Sequence, residues 1–330
     1  MRQATIYSIA KKLGVSASTV SRAFSRPDLV KASVREQVFV TAEELGYVPN
    51  RAARGLATGR TGVFGLLVPD ITNPFFPPLV RAVQLAADQR DTEILLIDTG
   101  GSVTAEEDFI RRIRPQVDGL IIAAPRLASS RLKTMVRGIP TVVVNRVVRG
   151  LTHVVYDTSQ ALGEAADHLH NLGHRRFALL RGPAEAWAAS HRSQAIRSWS
   201  ENHSDVHLIE MGPFEARFEV GKDAVGDIVE SKATAIFAFD DLMAAGVIAG
   251  LSRLGESVPE ERSIVGCDDV LLARTMTPSL ATVTAPFDEL GQEAVKLLIE
   301  VITDASPRNV RLAGRLALRG TVGPVAEHSA

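Results

Sequence analysis

The residues best placed to do chemistry near the start of this chain are Ser16, Ala17, Ser18, Ser21 and Arg22. Positions 17, 18, 21 and 22 fall on one face of a helix, because side chains three and four apart stack on the same side. Ser18 can donate to or accept from either kind of base pair, Ala17 can touch a thymine methyl, and Arg22 can send two parallel hydrogen bonds to guanine O6 and N7. Such a face is built to read base edges in a major groove. A plain surface helix with a solvated arginine would look similar, so the surrounding elements decide.

A second set of polar groups follows apolar runs later in the chain. Asp70, Thr72, Asn73, Phe75 and Phe76 follow one run, Asn145 and Arg146 another, and Asp240 and Asp268 two more. Carboxylates and amides beside aromatic rings suit a polyhydroxylated ligand: the oxygens accept from hydroxyl pairs and the rings cover the C–H face. Singly, an Asp or Asn after a strand serves more often as a turn or cap residue. Convergence at strand ends is what would make a pocket. No Gly-x-Ser-x-Gly elbow, phosphate-binding loop or dinucleotide glycine pattern occurs, so no catalytic site is expected. His170 and His174 stand four apart, but no glutamate lies between them, and no metal site or cofactor is expected.

The positioning elements of the first set are legible. Thr5 caps a first helix whose apolar stripe is Ile6, Ile9, Ala10 and Leu13. Gly14 supplies the left-handed stop and Ser16 caps the next helix, with Val15, Val20 and Phe24 turned to a small core. A third helix spans about 33–45, with a capping box from Ser33 and Glu36, before Gly46 and Pro49 end it. Residues 50–57 are helix-like but shorter than the ~12 residues that hold a helix in water. They are expected to order only when docked.

From Gly62 onward, short apolar runs alternate with amphipathic helices. Strands are expected at 63–68, 93–97, 119–123, 141–144, 177–180, 235–239 and 263–266, with helices between them. The alternation occurs twice, over roughly 62–157 and 158–280. Two doubly wound parallel lobes in tandem follow, with ligands off the carboxyl ends of their strands.

Charge separates the parts. Residues 1–60 carry +6 while the whole chain is −1, so a basic head precedes an acidic body. One cysteine, Cys267, leaves no disulfide framework and fits a reducing cytoplasm. No secretory signal and no apolar run of ~20 residues is evident, so a cytoplasmic, membrane-free protein is expected.

The chain resembles the lactose-repressor (LacI/GalR) family of transcriptional regulators. Val15-Ser16-Ala17-Ser18-Thr19-Val20-Ser21-Arg22, Glu44-Leu45-Gly46-Tyr47-Val48-Pro49-Asn50, Thr61 to Asp70, Asn73-Pro74-Phe75-Phe76, Val117 to Ile122, Leu172-Gly173-His174-Arg175-Arg176, Asp241-Leu242-Met243-Ala244 and Asp268-Asp269 carry the likeness in order. The resemblance implies a helix-turn-helix DNA-binding head at 1–49, a hinge at 50–60 and an effector-binding, dimerising domain at 61–330. That domain would be periplasmic-binding-protein-like, with lobe 1 at about 61–157 and 287–318 and lobe 2 at about 158–286 and 319–330.

Carried over by residue, the likeness implies DNA contacts from Thr5, Tyr7, Ser16, Ala17, Ser18, Ser21, Arg22, Asn50 and Ala53. Leu56 is implied as a minor-groove wedge. Effector contacts are implied for Asn73, Phe75, Asn145, Arg192, Phe214, Asp240 and Asp268, with Arg192 as the central clamp. Three positions depart from the pattern. Lys31 replaces a capping serine, Cys267 replaces a bulkier residue, and Asp240 stands where asparagine is common. The extra carboxylate argues for a neutral sugar effector over an acidic one, with a purine or nucleoside as the alternative. The C-terminal residues show no leucine heptads, so a homodimer is expected, reading a palindromic operator in double-stranded DNA. A sugar-binding transport protein would share the body but not the basic head.

Overall fold

The computed structural model describes residues 4–47, 60–306 and 308–325. They fall into two compact units, residues 1–63 with 116–118, and 64–115 with 119–330.

The head is three helices, α1 (Ile6–Leu13), α2 (Ala17–Ser25) and α3 (Ala32–Glu44). Thr5 caps α1 in a capping box with Ser8, and Gly14, at φ +67°, ends it. The Ser16 hydroxyl accepts from Thr19 N at 3.0 Å and starts α2. Ile9, Val20 and Val38 are fully buried, one from each helix, and Phe24 packs over them against Phe39 and Tyr47. The expected Ser33 cap is not there. α3 begins at Ala32 with Lys31 at the cap position and no side-chain cap bond. Ser33 lies inside the first turn, where its backbone is already helical and its hydroxyl cannot serve as the cap.

The second unit holds two parallel sheets. The first contains β1 (Val63–Val68), β2 (Glu93–Asp98), β3 (Gly119–Ala123), β4 (Thr141–Val144), β5 (Thr152–Asp157) and β11 (Val310–Ala313). Their order is β11-β5-β4-β3-β1-β2, and the β1–β3, β3–β4, β4–β5 and β5–β11 pairings are all parallel. β3 and β4 are buried along their whole length, as sheets covered on both faces demand. Helix α4 (Phe76–Asp88) packs on α13 (Phe287–Ile302). The helices α5 (Val103–Ile113) and α6 (Ser129–Met135) pack together in the same lobe.

The second sheet contains β6 (Arg176–Leu180), β7 (His207–Met211), β8 (Ala235–Phe237) and β9 (Ser263–Val265) in the order β7-β6-β8-β9, again parallel. The helices α7 (Ser159–Asn171) and α8 (Trp187–Glu201) pack together, and α9 (Phe218–Asp223), α10 (Val225–Glu230), α11 (Asp241–Leu254) and α12 (Leu271–Thr275) complete the lobe. Between β7 and β8 the helical stretch is broken at Ala224 into α9 and α10.

The chain passes between the lobes three times. It leaves β5 for α7, returns from β10 (Thr282–Thr284) to α13, and leaves β11 for β12 (Arg315–Ala317), which pairs antiparallel with β10. Its last described residues close on the second lobe: Thr321 Oγ1 donates to Ile264 O at 2.7 Å and Gly323 N to Ser263 Oγ at 3.0 Å. Where the crossings meet, Tyr156 is buried and donates to Val283 O at 2.9 Å. One apolar cluster therefore runs continuously from Leu66 and Val144 through Tyr156 and Cys267 to Phe177 and Phe237.

α9 lies so close to α11 that only glycine fits at the contact. A Cβ on Gly246 would strike the Phe218 carbonyl oxygen, and one on Gly250 would lie 2.6 Å from Lys222 O. Backbone cannot rotate aside as a side-chain tip can. Gly246→Ala is therefore expected to cost about 1–3 kcal/mol, read as a lower urea midpoint at unchanged slope.

Candidate functional site

A cleft opens between the two parallel sheets, off the carboxyl ends of their strands. Its walls come from loops after β1, β3, β4, β8 and β9 and from the start of α8. Ala124, Asn145, Asp268 and Asp269, which follow three of those strands, all have left-handed backbone at φ +44°, +56°, +115° and +56°. Non-glycine residues in that region carry strain, and strain of this kind gathers at ligand sites.

Arg192 lies at the centre. It projects from α8, is 6% exposed, and donates through Nη2 to Asp268 Oδ1 at 2.6 Å and through Nη1 to the Phe239 carbonyl. Its guanidinium carbon sits 4.9 Å from the Phe239 ring centroid and 5.8 Å from that of Tyr156. Burial pushes the Asp268 carboxyl up, to about 8, although Arg192 pulls it down. Burial alone would lower Arg192, but Asp268 beside it outweighs that and raises it.

Asp240 serves two purposes. Its Oδ1 caps α11 by accepting from Met243 N at 2.8 Å, while Oδ2 accepts from Asn73 Nδ2 of the other lobe at 2.9 Å. Asn73 Oδ1 in turn accepts from Phe75 N at 3.0 Å, so its amide orientation is settled. Burial raises the Asp240 carboxyl despite these bonds. Asn145 is buried, and its Oδ1 has no partner among the described residues. The Nε and Nη1 of Arg126 are likewise buried without partners. Aromatic cover comes from Phe75, edge-on to Phe76 at 5.1 Å, and from Trp187, stacked 4.5 Å above His191. His191 is fixed by Asp157 Oδ1 and Ser159 Oγ, both at 3.0 Å.

On the head, Thr5, Tyr7, Ser16, Ser18 and Arg22 are exposed, Tyr7 by 71%. Ser21 is half-buried. Ala17 is also half-buried and packs against the core, so it offers a base only part of its surface.

The profile described as bacterial regulatory proteins of the lacI family matches residues 5–50, and that of the periplasmic binding protein-like domain matches residues 166–322. The chain is 30% identical over 302 residues to the ribose operon repressor of Halalkalibacterium halodurans, covering 90% of each. It is 31% identical over 306 residues to the HTH-type transcriptional repressor CytR of Escherichia coli, covering 90% of this chain and 89% of that one. This chain belongs to the LacI family.

Solved structures agree with that assignment. The lac repressor dimer bound to operator and the anti-inducer ONPF superposes with a TM-score of 0.88 at 24% identity, over 98% of this chain and 100% of that one, a likeness of fold. A LacI-family regulator from Enterococcus faecium with bound ribose gives a TM-score of 0.72 at 29% identity, over 80% and 99% of the two chains.

In this LacI-family regulator the cavity draws together Asn73, Phe75, Asn145, Arg192, Asp240 and Asp268. It does not include Phe214. That ring packs with the second lobe's core beside Gly212. Phe239 and Trp187 supply rings to the wall. Residue reading missed both, with Arg126. Phe239 directly precedes Asp240, and Arg126 follows β3 by three residues, so the strand-end rule would have found them. Asn50, Ala53 and Leu56 lie outside the described residues. His174 is buried on Thr234 Oγ1 and Gly323 O, and His170 faces Asp205. The described residues hold no group of three potential metal ligands, and none of their helices is long and apolar enough to cross a membrane.

Asp241 lies directly behind the site. Its carboxylate accepts from Thr282 Oγ1 and Val270 N, yet burial, reinforced by Asp240 and Asp269, raises it to about 6. The folded value exceeds the unfolded ~3.9, so this group's contribution is full below pH ~4 and falls until pH is above 6. Asp241→Asn keeps the shape without the charge. It is expected to stabilise the protein relative to wild type by on the order of 2–3 kcal/mol at pH 7, but by little near pH 4. Paired thermal melts across that range check it.

Proposed function

We propose that this LacI-family regulator is a repressor that binds a palindromic operator as a homodimer and is controlled by a monosaccharide-sized sugar in the interlobe cavity. Residues 1–49 are the reading head, 50–60 the hinge and 61–330 the effector and dimerisation domain. Thr5, Tyr7, Ser16, Ala17, Ser18, Ser21, Arg22, Asn50, Ala53 and Leu56 face DNA. Asn73, Phe75, Asn145, Arg192, Asp240 and Asp268 hold the ligand.

The carrying observation is the Asn73–Asp240 hydrogen bond, which spans the two lobes within the cavity wall. A ligand that competes for either partner changes how the lobes are held together. Ligand state is thereby linked to lobe arrangement, and DNA affinity changes only by the ligand's differential affinity for the two arrangements. Relatives support a sugar: one is a ribose operon repressor and another was solved with ribose. The aromatic wall of Phe75, Trp187 and Phe239 also suits a purine or nucleoside.

The test selects operators from random duplex DNA with the full-length protein, then titrates D-ribose, other sugars and nucleosides into the complex. A palindromic consensus whose affinity shifts at least tenfold with one of them is expected. Absence of any preferred sequence sinks the regulator reading, and a nucleoside acting alone sinks the sugar.

A further inference from the structure

Arg126 is the cavity cation whose Nε and Nη1 the fold leaves without acceptors. Its backbone N–H is tied to Glu106 Oε2 at 2.8 Å, which fixes where the side chain starts. Arg126 lines the cavity together with Asn73, Asn145 and Asp240, yet its Nε and Nη1 are buried and have no partner among the described residues. The other cavity arginine, Arg192, is already committed to Asp268 and the Phe239 carbonyl. Glu215, Glu185, Glu106 and Asp70 act on the charge of Arg126 from a distance, and none accepts from Nε or Nη1. Dry donors on a cation are costly to leave unmade.

The rest of the wall has the opposite character. Asp240, Asp268 and the unpartnered Oδ1 of Asn145 are acceptors, suited to hydroxyl donors. A ligand matching this wall offers hydroxyls to one side and a strong acceptor to Arg126. Sugar hydroxyls are modest acceptors, whereas a carboxylate makes charge-assisted bonds about twice as strong to the planar guanidinium fork. Asp240, whose charge argued at first for a neutral ligand, is held by Asn73 and Met243 N. A dianionic phosphate would face that buried carboxylate with one free arginine to balance it. We propose that the effector is a sugar acid, a monosaccharide-sized polyol whose carboxylate is held by Arg126. This rests on the cavity being the effector site.

Calorimetric titration of the full-length protein with D-galacturonate, D-glucuronate and D-gluconate, beside D-galactose, D-glucose, D-ribose and D-glucose 6-phosphate, tests it. At least one acid is expected to bind about 10- to 100-fold more tightly than its neutral parent. In Arg126→Gln that ratio is expected to collapse toward one, and Arg126→Lys, which keeps the charge but not the fork, to retain part of it. Unliganded melting temperatures check that both variants fold. A neutral sugar or the sugar phosphate binding as tightly as any acid overturns the proposal, as does no binding by any acid, or an acid preference that survives Arg126→Gln. If D-ribose or another neutral sugar still releases or tightens operator DNA, the sugar-effector reading stands and only the acid is wrong. If no sugar of either kind does so, that broader reading fails with it.

Discussion

Arg192→Met is expected to destabilise the ligand domain by about 3–5 kcal/mol and to abolish the effector response. Methionine matches the length of the arginine stem and keeps some of its packing over Phe239, so the loss isolates the charge. What remains is Asp268, 3% exposed, with Asp240 and Asp241 as neighbouring charges and no counterion. Its carboxyl, already raised by burial, then protonates, and that protonation caps the loss. The loss should therefore be smaller at pH 5 than at pH 8, because the lone carboxyl is neutral at the lower pH. The double variant Arg192→Met with Asp268→Asn should recover most of the stability but none of the ligand binding. Urea unfolding of the single and double variants at both pH values measures the coupling. A single variant as stable as wild type at pH 8 would show that the buried pair holds nothing together.

Arg22→Ala is expected to weaken operator binding by about 1–3 kcal/mol per half-site, roughly 5- to 150-fold for each head. Arg22 is exposed, and its only described structural duty is a backbone carbonyl that accepts from Arg26 N at 2.7 Å. Alanine leaves that bond intact, so head stability should not change. A base-reading arginine and a phosphate-binding one part company in two measurements. Loss of base reading lowers affinity for the selected operator and relaxes preference at one symmetric base pair. Loss of a phosphate contact weakens all sequences alike and reduces the salt slope by about one. Anisotropy titrations against the selected operator and a scrambled duplex, at two salt concentrations, separate them. Equal losses on both duplexes would remove Arg22 from the reading face.

The helix-turn-helix was legible because its determinants are local. Thr5, Gly14 and Ser16 each act within four residues of themselves, and the Ile9 and Val20 stripes follow from helical spacing. The failure at Ser33 is equally local: Ser and Lys compete for one cap, and whichever residue starts the helix leaves the other inside or outside it. The strands β1, β3, β4 and β6 were readable as short continuous apolar runs, as double-sided burial requires. β5, β7, β10, β11 and β12 were not read from the sequence, because polar residues such as His153, Glu210, Thr282, Arg311 and Arg315 interrupt their apolar runs. Without the family resemblance, nothing in residues 310–313 announces a strand that joins a sheet beside residues 154–157.

The cavity divides the same way. Asn145, Asp240 and Asp268 could be picked from sequence because strand ends point toward ligand in parallel sheets. Sequence alone thus determined the reading face, the parallel lobes, the acid-and-amide rim and the family. Tertiary structure decided which of these groups are already spent on one another. Asp268 is taken by Arg192 across 76 residues of chain, and Asp240 by Asn73 across 167. Arg126 is left over, and Phe214 packs into the second lobe's core. The reason is physical: the partner of a buried polar group is chosen by proximity in the packed lobes, which no local pattern encodes.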